Sequence, residues 1–326
     1  MGFLFGAGSL VFGLAIGSFL NVVIYRVPRR IFLSGGLRSR CPHCGASIPT
    51  QHNLPILSYL MLRGRARCCG QRISPRYPII EAITGVAFLL VWLQHRQLHP
   101  AGSGTSLELF FITLYLVASL IAASAIDLEH RILPDAINFL GIGVGILSAV
   151  LVPELHAQSF LAGPLAAVPV AGRSLLASVL GVLAGAGSLY LVALIGRRVY
   201  GRDAMGLGDV KFMAFTGSFI GADGVLIAVF VACFLGAVIG ILVAFKTGDP
   251  MIPFGPFLAA GVLLAHFGKA RAIEALAEDW PRWLRTSPLA LPVLGAVEDT
   301  ETRMTRLHQE SHQELSQEFN REVQEL

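Results

Sequence analysis

Two aspartates stand where an apolar stretch of the sequence meets a polar loop. Asp127 follows the apolar run 107–126, and Asp209 lies in the glycine-rich segment 205–211 (MGLGDVK) before another apolar run. Carboxylates at membrane depth are costly, so their positions indicate function. Two apolar stretches of spanning length separate them, and an even number of crossings returns the chain to the same face. The sequence therefore predicts both carboxylates near one membrane face.

A close pair of carboxylates predicts general acid–base chemistry. Because two carboxylates in one desolvated site do not both ionise easily, they share a proton. The ionised member can then take a proton from water while the protonated member polarises a peptide carbonyl. Hydrolysis by Asp127 and Asp209 would need neither a metal nor a covalent intermediate. We assign supporting roles to Gly206 and Gly208, which permit an unusual backbone, and to Lys211, which could neutralise Asp209, contact lipid phosphate or mark the interface.

Other interpretations of the same residues stay open at this point. A single aspartate at a helix end is more often a cap or a solvated charge, and Asp135, directly after Pro134, fits the start of a helix. A cation or proton transporter could use the same carboxylates, and a noncatalytic assembly scaffold would need neither. The transporter is disfavoured because the sequence has no clear inverted repeat and the aspartates lie at one face.

Four of the five cysteines fall in one polar insertion. They are Cys41, Cys44, Cys68 and Cys69. A reducing compartment disfavours a structural disulfide, and Cys41-x-x-Cys44 forms half of a tetrahedral zinc site. The second half of such a site is usually another Cys-x-x-Cys pair, whereas here two cysteines are adjacent. Zinc and free thiols are both compatible with this pattern, and Cys233, in an apolar run, is predicted to be a small core residue.

The elements that position these residues are membrane helices. Hydrophobic residues make up 54% of the 326 positions, charged residues 14%, and the mean hydropathy is +0.66. Since a soluble domain carries about a quarter charged residues, an ordinary soluble enzyme is excluded. We predict an all-α polytopic membrane protein with about eight transmembrane helices. The apolar stretches are 3–25, 79–94, 107–126, 135–152, 174–196, 211–222, 224–245 and 251–268.

The charges orient these spans. No charge precedes Arg26, so the basic region of a cleavable signal peptide is missing and residues 1–25 are predicted to remain as a helix. Ten of the 25 lysines and arginines fall between Arg26 and Arg76. Beside a span, this basic segment is more typical of a cytoplasmic anchor against membrane lipid than of a nucleic-acid site. The sequence predicts that residues 26–78 and both aspartates lie on the cytoplasmic side of a bacterial inner membrane.

Four segments follow from this topology. Residues 1–25 form the first transmembrane helix, 26–78 a small cytoplasmic insertion that could bind zinc, 79–268 a multi-span peptidase domain and 269–326 a polar C-terminal tail. Glycine pairs spaced by four residues predict close packing within the bundle. A tight turn is predicted at 221–224, and nothing in the sequence indicates an oligomeric state.

Five blocks in this order resemble the bacterial type IV prepilin peptidases, the bifunctional prepilin leader peptidase and N-methyltransferase family. They are 17–28 (GSFLNVVIYRVP), 41–45 (CPHCG), 76–81 (RYPIIE) and the two aspartate segments. The match extends to about residue 268. The resemblance implies that Asp127 and Asp209 are catalytic. It also implies cleavage of a short basic leader after a glycine, in prepilins or pseudopilins of type IV pilus or type II secretion systems.

The resemblance further implies methylation of the new N-terminal amine from S-adenosylmethionine. No glycine-rich nucleotide loop supports this independently. The second cysteine pair departs from the family, because Ala66 stands where a cysteine is expected. Cys69 keeps its place, and Cys68 or His43 could substitute for the missing ligand. A zinc-bound methyltransferase and a peptidase that has lost methylation both fit this departure.

Overall fold

The computed structural model describes residues 2–31, 40–98, 107–157, 159, 167–201, 205–247 and 252–274. These residues are mostly helical. The helices are α1 (Gly2–Arg26), α2 (Leu57–Met61), α3 (Arg76–Leu98), α4 (Leu107–His130), α5 (Asp135–Leu151), α6 (Val170–Tyr200), α7 (Leu207–Thr247) and α8 (Gly255–Glu274). The chain divides into two compact units, Met1–Phe267 and Gly268–Leu326. Most of the polar tail predicted at 269–326 lies outside the described residues.

Among the described residues, five helices are long and apolar enough to cross a membrane: α1, α3, α4, α6 and α7. Two further apolar segments are shorter, namely α5 and Gly255–Gly268 of α8. Large apolar side chains stay exposed on these helices, Leu4 and Phe230 each by 73%. Lipid rather than water must cover such surfaces. The predicted all-α polytopic membrane fold is confirmed, whereas the number of eight spans stays a prediction.

Helix α7 is broken at Gly221. The glycine has φ 73° and ψ 173°, which a helix cannot contain. A Cβ atom on Gly217 would lie 3.1 Å from Cγ2 of Val225, although residues eight apart in a continuous helix are separated by about 12 Å. The chain therefore bends back sharply here, which confirms the turn predicted at 221–224. Residues 207–220 form a first piece that carries Asp209.

Glycines bring neighbouring helix backbones into contact. A Cβ on Gly181 of α6 would lie 2.0 Å from the carbonyl oxygen of Gly217 on α7, and a Cβ on Gly17 of α1 would lie 2.7 Å from Cα of Glu81 on α3. No side chain fits into either contact. The glycine spacing thus serves packing within the bundle. Cys233, predicted as a core residue, is instead exposed, because its face of α7 points out of the bundle.

Two buried clusters of side chains fix the helices that carry the aspartates. The larger one joins α4 to the first piece of α7, with Leu120 and Phe215 almost fully buried. The smaller one joins α1, α3 and α4 through Ile24, Ile80 and Ile126. Burial of a side chain of this size contributes about 1.5–3 kcal/mol. Along the chain, members of both clusters lie within one residue or one helical turn of a polar group of the candidate sites.

Candidate functional site

Asp127 lies in the last turn of α4 rather than after it. The helix continues past the apolar run because Leu128 and Glu129 are good helix formers. It ends at Arg131, which has φ 53° and whose N–H donates to the carbonyl oxygen of Asp127 across 2.8 Å. The Asp127 side chain faces the bundle, and the residue is only 6% exposed. A carboxylate is thereby held inside the protein near a helix end.

Asp209 lies in the first turn of α7, where it is half-buried. A Cβ on Gly208 would lie 3.3 Å from Cβ of Leu133, so the loop after α4 packs directly on the start of α7. A Cβ on Gly206 would lie 3.3 Å from Oδ2 of Asp209, so a larger residue there would press on this carboxylate. The two aspartates are close enough for their charges to interact. The structure thus brings together the pair that the sequence predicts.

A third helix end completes this site. The N–H of Gly255, the first residue of α8, donates to Oδ2 of Asp127 across 2.8 Å. A Cβ on Gly255 would lie 2.7 Å from the same oxygen. The contact fixes the orientation of the Asp127 carboxylate at the positive end of a helix. This partner could not be predicted from residue types, because every residue except proline carries a backbone N–H. The only available indication was the segment 253–256 (PFGP) before the apolar run.

Lys211 has its ion pair with Asp135. Its Nζ lies 2.7 Å from Oδ1 of Asp135 and 5.4 Å from the ring centre of Phe139. Asp135 is the first residue of α5, in agreement with the predicted helix start. The pair therefore ties the start of α5 to the start of α7. Three interpretations were offered for Lys211. Among the described residues, no ion pair between Lys211 and Asp209 supports the one in which it neutralises Asp209.

The four insertion cysteines form one cluster. The Sγ atoms of Cys41, Cys44, Cys68 and Cys69 all lie within 4.8 Å of one another. The closest pairs are Cys44 with Cys68 at 3.3 Å and Cys41 with Cys69 at 3.8 Å. Four thiolates around a tetrahedral zinc ion with bonds of about 2.3 Å stand roughly 3.8 Å apart. The cluster fits that geometry, and Cys68 belongs to it.

The cluster is built from two turns of the same kind. In the first, Cys41 N–H donates to Ala46 O and Gly45 N–H to Cys41 O. In the second, Ala66 and Gly70 make the corresponding bonds to Gln71 and Ala66. Gly45 and Gly70 both have φ 71°, which favours glycine. Ala66 thus occupies the place of Cys41, and Cys68 supplies the missing thiol from within its own turn.

The cysteines of the cluster differ in pKa. Hydrogen bonds to its sulfur, first from the Cys44 N–H, lower the pKa of Cys41 to about 6 against the opposing effect of burial. The thiol of Cys68 contacts the Cys44 sulfur, and this hydrogen bond with partial burial raises its pKa to about 12. Without a bound cation, the cluster therefore holds protons at neutral pH. A metal ion would replace them.

A cavity of about 1220 Å³ lies between the end of α1, the insertion and the start of α3. Eight arginines line it, and Glu81 is the only carboxylate among the described lining residues. At its edge, Arg76 forms an ion pair with Glu129, which follows Asp127 by two positions on α4. The cavity therefore adjoins the aspartate site. We refer to it below as the insertion cavity.

Two family models match this chain, one in its N-terminal part and one in its central part. Residues 11–95 match the bacterial peptidase A24 N-terminal domain, and residues 114–241 match the type IV leader peptidase family. A type 4 prepilin-like proteins leader peptide-processing enzyme of Escherichia coli O78:H11 is 36% identical over 270 residues, covering 78% of this chain and 90% of that protein.

Two further relatives carry the name prepilin leader peptidase/N-methyltransferase. The protein of Pseudomonas putida is 34% identical, covering 80% of this chain and 90% of its own. The protein of Dichelobacter nodosus is 32% identical, covering 79% and 90%. No solved structure matches significantly. With its paired aspartates and cysteine insertion in the same order as the two matched domains, this chain belongs to the type IV leader peptidase family.

Proposed function

We propose that this protein is a prepilin leader peptidase and N-methyltransferase of the bacterial inner membrane. It cleaves the basic leader of prepilins and pseudopilins after a glycine, and then methylates the new N-terminal amine. The observation that carries the proposal is the meeting of Asp127 and Asp209 at converging helix ends in a member of this family. The relatives' names supply the substrate class and the second reaction.

In the proposed cleavage, one carboxylate of the pair takes a proton from water, which then attacks the scissile carbonyl carbon. The other carboxyl donates its proton to the carbonyl oxygen, and the departing amine later receives a proton from the pair. The N–H of Gly255 holds Asp127 in place, since it occupies one lone pair of Oδ2. Gly206 and Gly208 allow the chain to pass close to Asp209 and Leu133. Lys211 acts indirectly, because its pair with Asp135 holds α7 against α5.

The proposed topology matches this substrate. Residues 26–78 and both aspartates lie on the cytoplasmic side, where the positive-inside rule places the basic insertion. A prepilin whose leader remains in the cytoplasm presents its junction with the hydrophobic segment at that face. The proposed domains are the first helix (1–25), the insertion (26–78), the peptidase domain (79–268) and a tail (269–326) that has no assigned role.

The proposal includes two bound groups, a zinc ion and S-adenosylmethionine. The four clustered cysteines would hold a zinc ion, which would join the two turns of the insertion into one unit. The insertion cavity is large enough for S-adenosylmethionine, which supplies the methyl group when bound. The arginines of the cavity wall suit its carboxylate. A peptidase without methylation is the alternative if the altered cysteine pair does not bind metal.

Purified enzyme, a prepilin and S-adenosylmethionine test the function directly. Mass spectrometry separates the intact precursor, the cleaved product and the methylated product. We expect cleavage after the glycine by the wild type and by Glu108→Gln, which replaces a carboxylate at the start of α4. We expect none by Asp127→Asn or Asp209→Asn, both still folded in the membrane. Full processing by either catalytic variant would overturn the assignment.

A further inference from the structure

We propose that Glu81, at the membrane end of the insertion cavity, binds the new N-terminal ammonium of the cleaved substrate and accepts its proton for methylation. This inference rests on the proposed methyltransferase function. It names a second catalytic carboxylate in the chain, separate from the aspartate pair.

The surroundings of Glu81 are those of a built site. The residue lies in the second turn of α3 and is 8% exposed. Its Oε2 accepts a hydrogen bond of 2.8 Å from the N–H of Ile56. Ile56 itself has φ 59°, a conformation that β-branched residues rarely adopt and that persists mostly at functional sites. The insertion is thus held in a strained conformation against a buried carboxylate.

The charge of the cavity selects what Glu81 can bind. Arg26 at the end of α1, Arg29 in the turn after it, Arg76 from α3 and five further arginines line the cavity, with His43 and His52 as the histidines. A basic leader is repelled by this wall. Among the described lining residues, the carboxylate at the membrane end is therefore where a cationic group is most favoured. A free α-ammonium is such a group, and it is formed only after the leader has left.

A second acceptor stands beside Glu81. Asn21 lines the same cavity, and its Nδ2 donates to the carbonyl oxygen of Tyr77 across 3.1 Å. Its Oδ1 is buried and has no hydrogen-bond partner within the described part of the chain. Ser18, one turn earlier on α1, lies within hydrogen-bonding reach of Glu81. An ammonium with three donors matches a carboxylate and an unused amide oxygen.

The cavity is also within reach of the cleavage site. Ile80, next to Glu81, and Ile126, next to Asp127, share one buried cluster with Ile24 of α1. The ion pair of Arg76 with Glu129 joins the same two helices one turn further out. An amine released at the aspartates would therefore pass between two helices that are in direct contact. The substrate's hydrophobic segment can stay in the membrane while its end moves.

The chemistry requires a proton acceptor at this point. An ammonium has no lone pair, so it must lose a proton before it can attack. In the proposed step that proton passes to the Glu81 carboxylate. The amine nitrogen then bonds to the methyl carbon of S-adenosylmethionine. The bond between that carbon and the sulfur breaks, and the electron pair of this bond remains on the sulfur, which becomes a thioether. The positive charge of the sulfonium passes to the methylated amine.

Glu81→Gln is the decisive variant, because its amide oxygen can still accept the Ile56 N–H. We expect cleavage within about twofold of wild type, and methylation of a pre-cleaved peptide at pH 7 reduced by about 100-fold or more. Methylation should recover partly above pH 8, where an N-terminal amine is unprotonated. Glu108→Gln, at the start of α4, is the matched control and should leave both reactions unchanged.

Binding of the cleaved peptide gives a readout that does not depend on turnover. Without S-adenosylmethionine, the wild type should bind the free-amine peptide more tightly than its N-acetylated form, and Glu81→Gln should lose this preference. Normal methylation by Glu81→Gln would overturn the inference and leave the proposed function standing. Equal loss of cleavage and methylation would overturn it as well, in favour of a structural role. A wild type that cleaves but never methylates would remove the methyltransferase function itself.

Discussion

The aspartate site and the cysteine cluster are built in opposite ways. The contact between Gly255 and Asp127 joins residues 128 positions apart, and it exists only because α4, α7 and α8 pack in one bundle. The cysteine cluster instead comes from two short turns, each closed by its own backbone hydrogen bonds. Damage to the bundle should therefore affect cleavage, whereas damage to the turns should affect the insertion alone. The proposed reactions are separable for this reason.

Loss of either aspartate is the strongest test of this separation. Asp127→Asn and Asp209→Asn remove a proton donor or acceptor without changing the size of the side chain, so cleavage should be lost, since general acid–base catalysis contributes about 10²- to 10⁴-fold per group. Methylation of a synthetic, already cleaved peptide should continue. The measurement is product formation by mass spectrometry on both substrates. If the pre-cleaved peptide also stays unmethylated, the two sites are not independent.

Gly255→Ala probes the long-range contact of the aspartate site. The new Cβ would stand 2.7 Å from Asp127 Oδ2, so the carboxylate must move. A shift of about 1 Å in a catalytic group can cost about 100-fold in rate, and we expect kcat for cleavage to fall 10- to 100-fold. Gly143→Ala in α5, where a Cβ meets nothing within 4 Å, is the control. Equal rates for the two variants would show that the Gly255 contact does not position Asp127.

Cys68→Ala probes the local construction of the cluster. We expect at least about tenfold weaker zinc binding, since even an outer partner of a metal ligand is worth 10–100-fold. Competition with a chelator measures it, and cleavage should change little. Because Ala66 occupies the place of Cys41 in the second turn, Ala66→Cys combined with Cys68→Ala should restore the affinity. Cys233→Ala, outside the cluster, should have no effect, and a failed rescue would argue against the equivalence of the two turns.

Glu129→Gln tests the ion pair that joins the two regions. Arg76 and Glu129 are partly exposed, with side chains at 24% and 32%, so the pair should contribute only about 0–1 kcal/mol to stability. We expect cleavage within about twofold of wild type and a small decrease in the unfolding temperature, measured in detergent. A tenfold loss of cleavage would instead show that this pair positions α4.

Sequence alone predicted the features that depend on composition or on backbone conformation. The apolar runs predicted an all-α membrane fold, and glycines 221 and 224 predicted the bend in α7, because a φ of 73° is open mainly to glycine. The pairing of Asp127 with Asp209 followed from counting crossings. Spacing also predicted that cysteines from two parts of the insertion would meet.

Other features could not be predicted from residue types. The partner of Asp127 is a backbone N–H, which every residue except proline carries. Three roles for Lys211 were open from the sequence, and only the packing of α5 against α7 selects Asp135 as its partner. Whether Cys68 belongs to the cluster could be judged only from the folded second turn, in which Ala66 occupies the place of a cysteine. The end of α4 was predicted four residues too early, because polar residues that favour helix continue α4 beyond its apolar run.

The break at Gly221 has a consequence for the bilayer around the active face. The first piece of α7, residues 207–220, is roughly 21 Å long, and the apolar part of α8, Gly255–Gly268, is similar. A hydrocarbon core is about 30 Å thick. Helices this short cannot match it, so the lipid beside Asp209 must thin or water must enter. We therefore expect turnover to depend on acyl-chain length, because longer lipids would bury the aspartates more deeply and slow the enzyme.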